Sequence, residues 1–522
     1  MSASIRSGIL AGVLGGIVVL LFGGWSVMIV GVIMGAAMGM TIGTQPSKNN
    51  WQKAALGALA PAGTAAVVLV VMNILRETVV AEAAGLKPVK MEIFFGSSII
   101  GALGLIFFAV LITALHTLPK RTEQIGRMIV LIFLVASFPF IDSFAGLRWT
   151  PTLIFALIFV ILGLGLNIVV GFAGLLDLGY AAFFAIGAYT AGILNSPHMG
   201  IYINFWLVIW IAAAMAGIWG LILGAPTLPL RGDYLAIVTL GFGEIVPVIF
   251  KNLIKVTVED PITCWVLPGI LKLFGANSTI SCLVLMKDQD LTAGERGINP
   301  IGRPWLPVIG EFPSNDARPW YFLIILIIVL SVFVIRRLRD SRLGRAWMAV
   351  REDELVAAQM GIDPVRAKLL AFAMGAMFSG FAGAFYGAYI RAIFPSVFDF
   401  SVSIIVLVTI ILGGLGNING VIVGGLVIMS ADRLFLPALK DLLTGLMNNS
   451  ILPSLANNPA MQANVRDNAN PILYRFLLFG LTLVIMMAVR PEGLFPNAQR
   501  RAELHGDENI EPEIEDSEPQ AS

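Results

Sequence analysis

Apolar runs of membrane-spanning or near-spanning length recur along almost the whole chain and constrain its fold more than any other feature. They lie at about 54 to 75, 94 to 116, 128 to 144, 152 to 171, 176 to 195, 204 to 224, 234 to 254, 320 to 336, 367 to 390, 403 to 433 and 473 to 489. A hydrocarbon core of ~30 Å is crossed by roughly 20 helical residues, and lipid offers unpaired backbone groups no partners. Each run is therefore expected to be helical. The opening stretch from Gly8 to Gly43 would make a straight helix of roughly 54 Å, and Gly23-Gly24 lies near its middle, so two short segments fit better. It also exceeds the ~7 to 15 residue apolar region of a secretory signal. The run at 403 to 433 is interrupted by "GGLGNING" and reads as two short limbs or a re-entrant hairpin.

Composition agrees. The chain is 57% hydrophobic and 13% charged, where soluble domains carry roughly 25% charged residues. The fold class is all-α, a polytopic integral membrane protein of about 12 to 14 apolar helical segments including the broken or re-entrant pair. A net charge of +1 gives no sign of a nucleic-acid surface, and two cysteines with three histidines fit no metal-ligand spacing. No cofactor is expected. Phosphate-loop, H-E-x-x-H and G-x-S-x-G motifs are missing, so nucleotide energy would have to enter through another protein.

Basic residues orient the threading, because short cytoplasmic loops carry the excess of Lys and Arg. Lys120, Arg121 and Arg127 mark one such loop and Arg231 a second. Arg336, Arg337, Arg339, Arg342, Arg345, Arg351, Arg366 and Lys368 mark the strongest, and Arg490, Arg500 and Arg501 place the C-terminal end on the same side. Both termini are then cytoplasmic, and the loops 255–318 and 434–472 are external. The first of these holds Cys264 and Cys282, which an oxidising compartment could bridge or leave as two thiols. The segment 497–522 is rich in Asp and Glu with few basic residues and reads as a disordered tail.

Three stretches stand out for function. In "VREDELVAAQMGIDPVRAKLLAF" (350–372), Glu352, Asp353 and Glu354 suit the positive end of a short helix of about two turns. Gly361 suits its left-handed terminus, and Asp363-Pro364 begins the next helix. Ala357 and Ala358 keep one face low while Leu355 and Met360 offer apolar contacts, so a partner could seat the element in a groove. An ordinary capped loop helix has the same composition. In "GLNIVVGFAGLLDLGYAAFFAIGAYTAGIL" (165–194), Gly171 and Gly174 allow close approach or unwinding, while Asn167, Asp177 and Tyr180 place polar groups at membrane depth. "TIILGGLGNINGVIVGGL" (409–426) repeats the theme with Gly413, Gly414, Gly416 and Asn417. Such glycine-broken segments in two halves of a membrane chain point to a translocation route, or to close packing. Glu244 in "RGDYLAIVTLGFGEIVPVIF" (231–250) either contacts substrate or caps a helix break crowded by Gly241, Gly243 and Pro247.

Together these stretches, with "LRGDYLAIVTLGFGEIV", "GRAWMAVREDELVAAQMGIDPVRAKLLAFAMGAMFSGFAGAFYGAY" and "RPEGLF", resemble the permeases of branched-chain amino-acid ABC importers, most closely the M-type (LivM) family. The resemblance covers about residues 128 to 496 and leaves 1–127 as an N-terminal membrane extension of about four apolar segments. It implies a non-enzymatic subunit of the bacterial inner membrane that carries branched-chain or related amino acids inward by alternating access. Its partners would be a second permease subunit, two cytoplasmic ABC ATPase subunits and an external substrate-binding protein. The family's ATPase-coupling segment maps onto the loop 337–366, with Arg351, Glu352, Glu354, Leu355, Ala357, Ala358, Met360, Gly361 and Pro364. Asn167, Gly171, Gly174, Asp177, Tyr180, Glu244, Gly413, Gly414, Gly416 and Asn417 are candidates for the substrate path. Asp177 stands where the family has a small polar residue, and Tyr180 where it has His. A urea or amide permease shares much of the pattern, and an ion-coupled secondary transporter would use Asp177 and Glu244 as its carboxylates.

Overall fold

In the computed structural model the described residues are 3–23, 25–42, 51–84, 91–115, 120–227, 233–254, 256–259, 284–307, 310–451, 470–490 and 493–495. Cys264 and Cys282, Arg231, and the segment 497–522 lie outside them. The chain packs as two compact units. One is Met1–Ile154 with Met429–Leu478, and the other is Phe155–Ile428 with Phe479 onward. This division by packing is not the same cut as the one at residue 127 drawn from the resemblance.

The first unit begins with α1 (Ala3–Phe22) and α2 (Ser26–Ile42), the two short segments expected around Gly23. Next comes α3 (Trp51–Leu75), which runs through a wide turn at Arg76–Val80 into α4 (Ala81–Ala84). Then follow α5 (Met91–Leu115) and α6 (Lys120–Ala145). Small residues let the backbones approach: Gly31 lies against Gly101, Gly35 against the Leu105 backbone, and Gly12 against Ala65. Val19, Val27, Leu69, Leu105 and Ala109 fill the core between them. A buried polar contact crosses it, Asn73 Nδ2 donating to Ser98 Oγ at 2.8 Å. Asp142 accepts from the backbone N–H groups of Trp149 and Thr150, both at 2.9 Å, and so caps the start of α7 (Thr150–Leu166).

In the second unit the apolar end of α7 widens into a π-turn at Asn167–Phe172, and a non-helical stretch leads to α8 (Tyr180–Leu194). α9 (Phe205–Thr227) and α10 (Asp233–Asn252) follow. After them, short antiparallel pairs such as Val256–Glu259 with Val284–Gln289 interrupt the helical pattern. The chain then continues as α11 (Arg318–Arg339), α12 (Arg342–Glu352), α13 (Glu354–Gln359) and α14 (Pro364–Ile390). The stretch at 403 to 433 is two limbs, α15 (Phe400–Gly413) and α16 (Ile418–Ser430). α14 is the packing centre, because its glycines admit neighbouring backbone: Gly380 meets Ala212, Ala213 and Ala216 of α9, and Gly383 meets Phe184 and Ala188 of α8.

Two expectations are corrected. Residues 434 to 451 are not loop, since α17 (Leu436–Leu446) and a π-turn at Met447–Ile451 extend the helix past Ser430. Apolar positions such as Leu436 and Met447, both buried, hold the turn despite the neighbouring Asn residues. Nor does α10 break at Glu244, because Gly and Pro in a membrane helix are tolerated where neighbours re-satisfy the backbone. With α18 (Arg475–Val489), eleven described helices are long and apolar enough to cross a membrane, and Ala11–Phe22, Ser26–Met38 and Tyr180–Leu194 are shorter apolar helices. The chain is an all-α polytopic membrane protein.

Candidate functional site

The charged loop builds a rigid knob. Asp353, extended at φ −153°, accepts from the N–H groups of Leu355 (2.8 Å) and Val356 (3.0 Å) and so caps α13. Glu352, expected at the start of this helix, instead closes α12, because the backbone turns extended at Asp353 and the capping carboxylate belongs to that residue. α13 is six residues long, about two turns at 3.6 residues per turn. At its other end Gly361 takes φ +84°, where a Cβ would meet no neighbour within 4 Å. The glycine requirement there is one of backbone conformation and not of space. Asp363 caps α14 through the N–H groups of Val365 and Arg366, and Pro364 fills its first turn.

The knob is fastened on one side and bare on the other. Ala357 is buried, whereas Leu355, Val356 and Met360 are 68%, 58% and 78% exposed; Ala358 and Gly361 share the open face. Glu354 reaches the largely buried Lys368 ammonium at 2.7 Å, and Trp347, fully buried, donates its Nε1 to the Ala367 carbonyl at 2.8 Å. Since Glu354 is 40% exposed, its pair is worth something between the ~1 kcal/mol of an exposed ion pair and the ~3–5 kcal/mol lost on breaking a buried one. Glu354→Gln is expected to lower the thermal midpoint of the purified protein. A double-mutant cycle with Lys368→Met should show coupling, and strictly additive effects would show that the pair contributes nothing.

Arg351 points inward. Its Nη1 donates to the Gly171 carbonyl at 2.6 Å, and its stem lies over Gly174, where a Cβ would come within 2.7 Å of Arg351 Cγ. Gly174 also holds φ +72°, so both space and backbone demand glycine there. Gly171 lies in the last turn before the helix ends at Phe172, where carbonyls have no intrahelical donor, and the guanidinium supplies one.

Behind that turn the two glycine-broken stretches meet. Asn167, fully buried, accepts the Gly416 N–H on Oδ1 at 2.9 Å, and any Cβ at Gly171 would collide with Asn167 Oδ1 and the Gly416 nitrogen. Gly413 and Gly420 bring α15 and α16 into backbone contact, with Gly414 at the turn. Asn417 caps α16 through the N–H groups of Asn419 and Gly420 and donates Nδ2 to the Phe495 carbonyl at 3.0 Å. Tyr180 donates its hydroxyl to the Gly375 carbonyl of α14 at 2.8 Å.

The predicted path residues therefore separate into three places. Asn167, Gly171, Gly174, Gly413, Gly414, Gly416 and Asn417 form one packed junction, with Tyr180 tying α8 to α14. Asp177 lines an apolar cavity of about 280 Å³ beside α9 and α10. Glu244, exposed on α10, lines a different cavity of about 410 Å³ with Lys251, Glu295 and Asp399. There the Lys251 ammonium holds the Glu295 carboxyl below the usual carboxylate range, first by its hydrogen bond and then by its charge. Among the described residues no His, Cys, Asp and Glu cluster could hold a metal ion.

Sequence reasoning missed Trp347 and two hydroxyls that hold the stretch before α8. Ser403 Oγ accepts the Ala181 N–H at 2.9 Å, and Thr239 Oγ1 accepts the Leu178 N–H at 3.1 Å. Their only signal is an isolated hydroxyl in an apolar helix, which most membrane helices also carry.

Known proteins share this arrangement of sequence. The high-affinity branched-chain amino acid transport system permease protein LivM of Escherichia coli (strain K12) is 34% identical over 397 residues, covering 72% of this chain and 76% of that protein. LivM of Salmonella typhimurium is 32% identical over 397 residues with the same coverage. LivH of Escherichia coli (strain K12) matches at 31% over 121 residues, 23% of this chain and 38% of that protein. No solved structure matches the chain. The family described as "Branched-chain amino acid transport system / permease component" matches residues 150–486, from the capped start of α7 into α18, and the chain belongs to it.

Proposed function

We propose that this chain is the transmembrane permease subunit of an ATP-driven ABC importer that moves branched-chain or related amino acids into the cytoplasm by alternating access. It works beside a second permease subunit, two cytoplasmic ABC ATPase subunits and an external substrate-binding protein, in a bacterial inner membrane with both termini cytoplasmic. ATP is hydrolysed by the partners and not by this chain. The observation that carries this reading is the α13 knob, capped at both ends, fastened by Glu354 and Ala357, and presenting Leu355, Val356 and Met360 to solvent. A small rigid element with bare apolar side chains suits insertion into a partner's groove.

Two routes lead from the knob into the membrane helices. Through Pro364, and through the Glu354–Lys368 pair, a push reaches α14. Through Arg351 it reaches the carbonyl of Gly171 and then, by Asn167, the α15–α16 turn at Gly416. An interface that rocks α13 would thereby shift both glycine-broken stretches together, giving the two-state element that alternating access requires. Apart from Asp177 and two threonines, the walls of the Asp177 cavity are mostly aliphatic and aromatic, which favours an apolar side chain over urea. Glu244 and Asp177 line separate cavities, which gives no support to an ion-coupled carboxylate pair.

Two measurements test the reading. Purification from the native membrane should bring ATPase subunits with the chain, and vesicles holding the whole assembly should accumulate leucine only with ATP. Uptake by this chain alone, driven by an ion gradient, would overturn it. Gly361→Val should leave insertion intact, since a Cβ has room, while straining the left-handed residue by ~1–2 kcal/mol. ATP-driven uptake is expected to fall, and normal uptake by that variant would remove the docking role from α13.

A further inference from the structure

Asp177 is 1% exposed in the stretch between the π-turn and α8, and its two oxygens are treated differently. Oδ1 accepts the Gly179 N–H at 2.9 Å, whereas Oδ2 is buried with no hydrogen-bond partner among the described residues. Buried carboxylate oxygens are nearly always partnered, because desolvation without a donor is costly. Thr239 is the hydroxyl of the cavity that faces the Asp177 carboxyl, but it gives Oδ2 no close hydrogen bond. Of the two hydroxyls there, Thr227 Oγ1 donates to the Leu223 carbonyl at 2.9 Å and Thr239 Oγ1 to the Ala236 carbonyl at 3.1 Å. The other walls include Phe183, Leu223, Phe242 and Ile245, with no Lys or Arg among the described lining residues. At about 280 Å³ the space lies near the ~300 Å³ lower end of small-ligand sites.

From this geometry we infer that the Asp177 cavity is a binding site for the primary ammonium group of a small aliphatic solute, with Asp177 Oδ2 as its acceptor and the apolar walls around its side chain. An ammonium supplies the missing donor and the countercharge together, which neither a neutral amide nor an anion can do. The inference rests on the proposed transport of amino acids and assigns to Asp177 the recognition of their cationic end. It also predicts an asymmetry, since an amine without a carboxylate satisfies the cavity and a carboxylate without an amine does not.

The test uses the complete membrane assembly without its external binding protein, so that only membrane sites are counted. Bound L-[³H]leucine is measured by equilibrium dialysis, with 3-methylbutylamine and 4-methylpentanoate as competitors. The amine is expected to displace leucine from the wild-type assembly and the acid to leave it bound. Asp177→Asn, close in shape, should weaken leucine binding by roughly ten- to a hundredfold, the range of one charge-assisted hydrogen bond, and should abolish competition by the amine. Displacement by the acid in preference to the amine in the wild type, which needs no variant and no assumption about folding, would overturn the inference. So would unchanged affinity in Asp177→Asn. If the wild-type assembly with its binding protein takes up leucine with ATP and yet either of these outcomes is found, the site alone is wrong. If it takes up no leucine at all, the transport reading has failed instead.

Discussion

Arg351→Ala is expected to leave the permease inserted and assembled but to remove most of its ATP-driven uptake. The guanidinium donates to the Gly171 carbonyl at 2.6 Å and lies across Gly174, so the variant loses both a charged hydrogen bond and the packing of its stem. A hydrogen bond from a charged donor contributes ~1.5–3 kcal/mol. Its loss should move the balance between the two states of the junction by roughly ten- to a hundredfold. Arg351→Lys keeps the charge without the planar fork and should recover part of the uptake, whereas a role in charge alone would predict full recovery. The decisive measurement sets uptake beside the ATPase activity of the same vesicles. Continued hydrolysis with lost uptake means uncoupling at this contact. Uptake at the wild-type level in Arg351→Ala would mean that force reaches the core through α14 by itself.

The second large effect is expected one residue contact further in, at Asn167→Leu. Leucine keeps the branched skeleton but cannot accept the Gly416 N–H, which would stay buried without a partner at a cost of ~1–3 kcal/mol. Gly171→Ala attacks the same contact from the other side, since its methyl group collides with Asn167 Oδ1 and the Gly416 nitrogen; overpacking of this kind costs ~1–3 kcal/mol. Both should lower the thermal midpoint of the purified protein, and the double variant should cost less than the sum, because the two changes disrupt one contact. Additive losses would show that the two residues act separately.

These two predictions could not have been written from the sequence, although every residue in them attracts notice there. "NIVVGF" and "GGLGNING" announce themselves as weak points in apolar helices, and Arg351 belongs to an evident cytoplasmic loop. That Asn167 and Gly416 hydrogen-bond each other across 249 positions is a long-range fact. The same is true of Glu244, whose apparent helix break depended on Gly241, Gly243 and Pro247 in sequence. In the structure α10 passes through them, leaving Glu244 exposed in a different cavity from Asp177.

What the sequence alone determined is local or one-dimensional. The spans follow from apolar length, because a bilayer admits only helices of a fixed reach. The ends at Gly361 and Asp363-Pro364 follow from backbone chemistry within a few residues. Tertiary structure alone decided which polar group meets which carbonyl or amide: Arg351 with Gly171, Asn167 with Gly416, Tyr180 with Gly375, and Asp177 Oδ2 with no close partner among the described residues. The physical reason is that a buried polar atom is satisfied by whatever the packing brings within about 3 Å, and that neighbour is set by how helices distant in sequence approach one another.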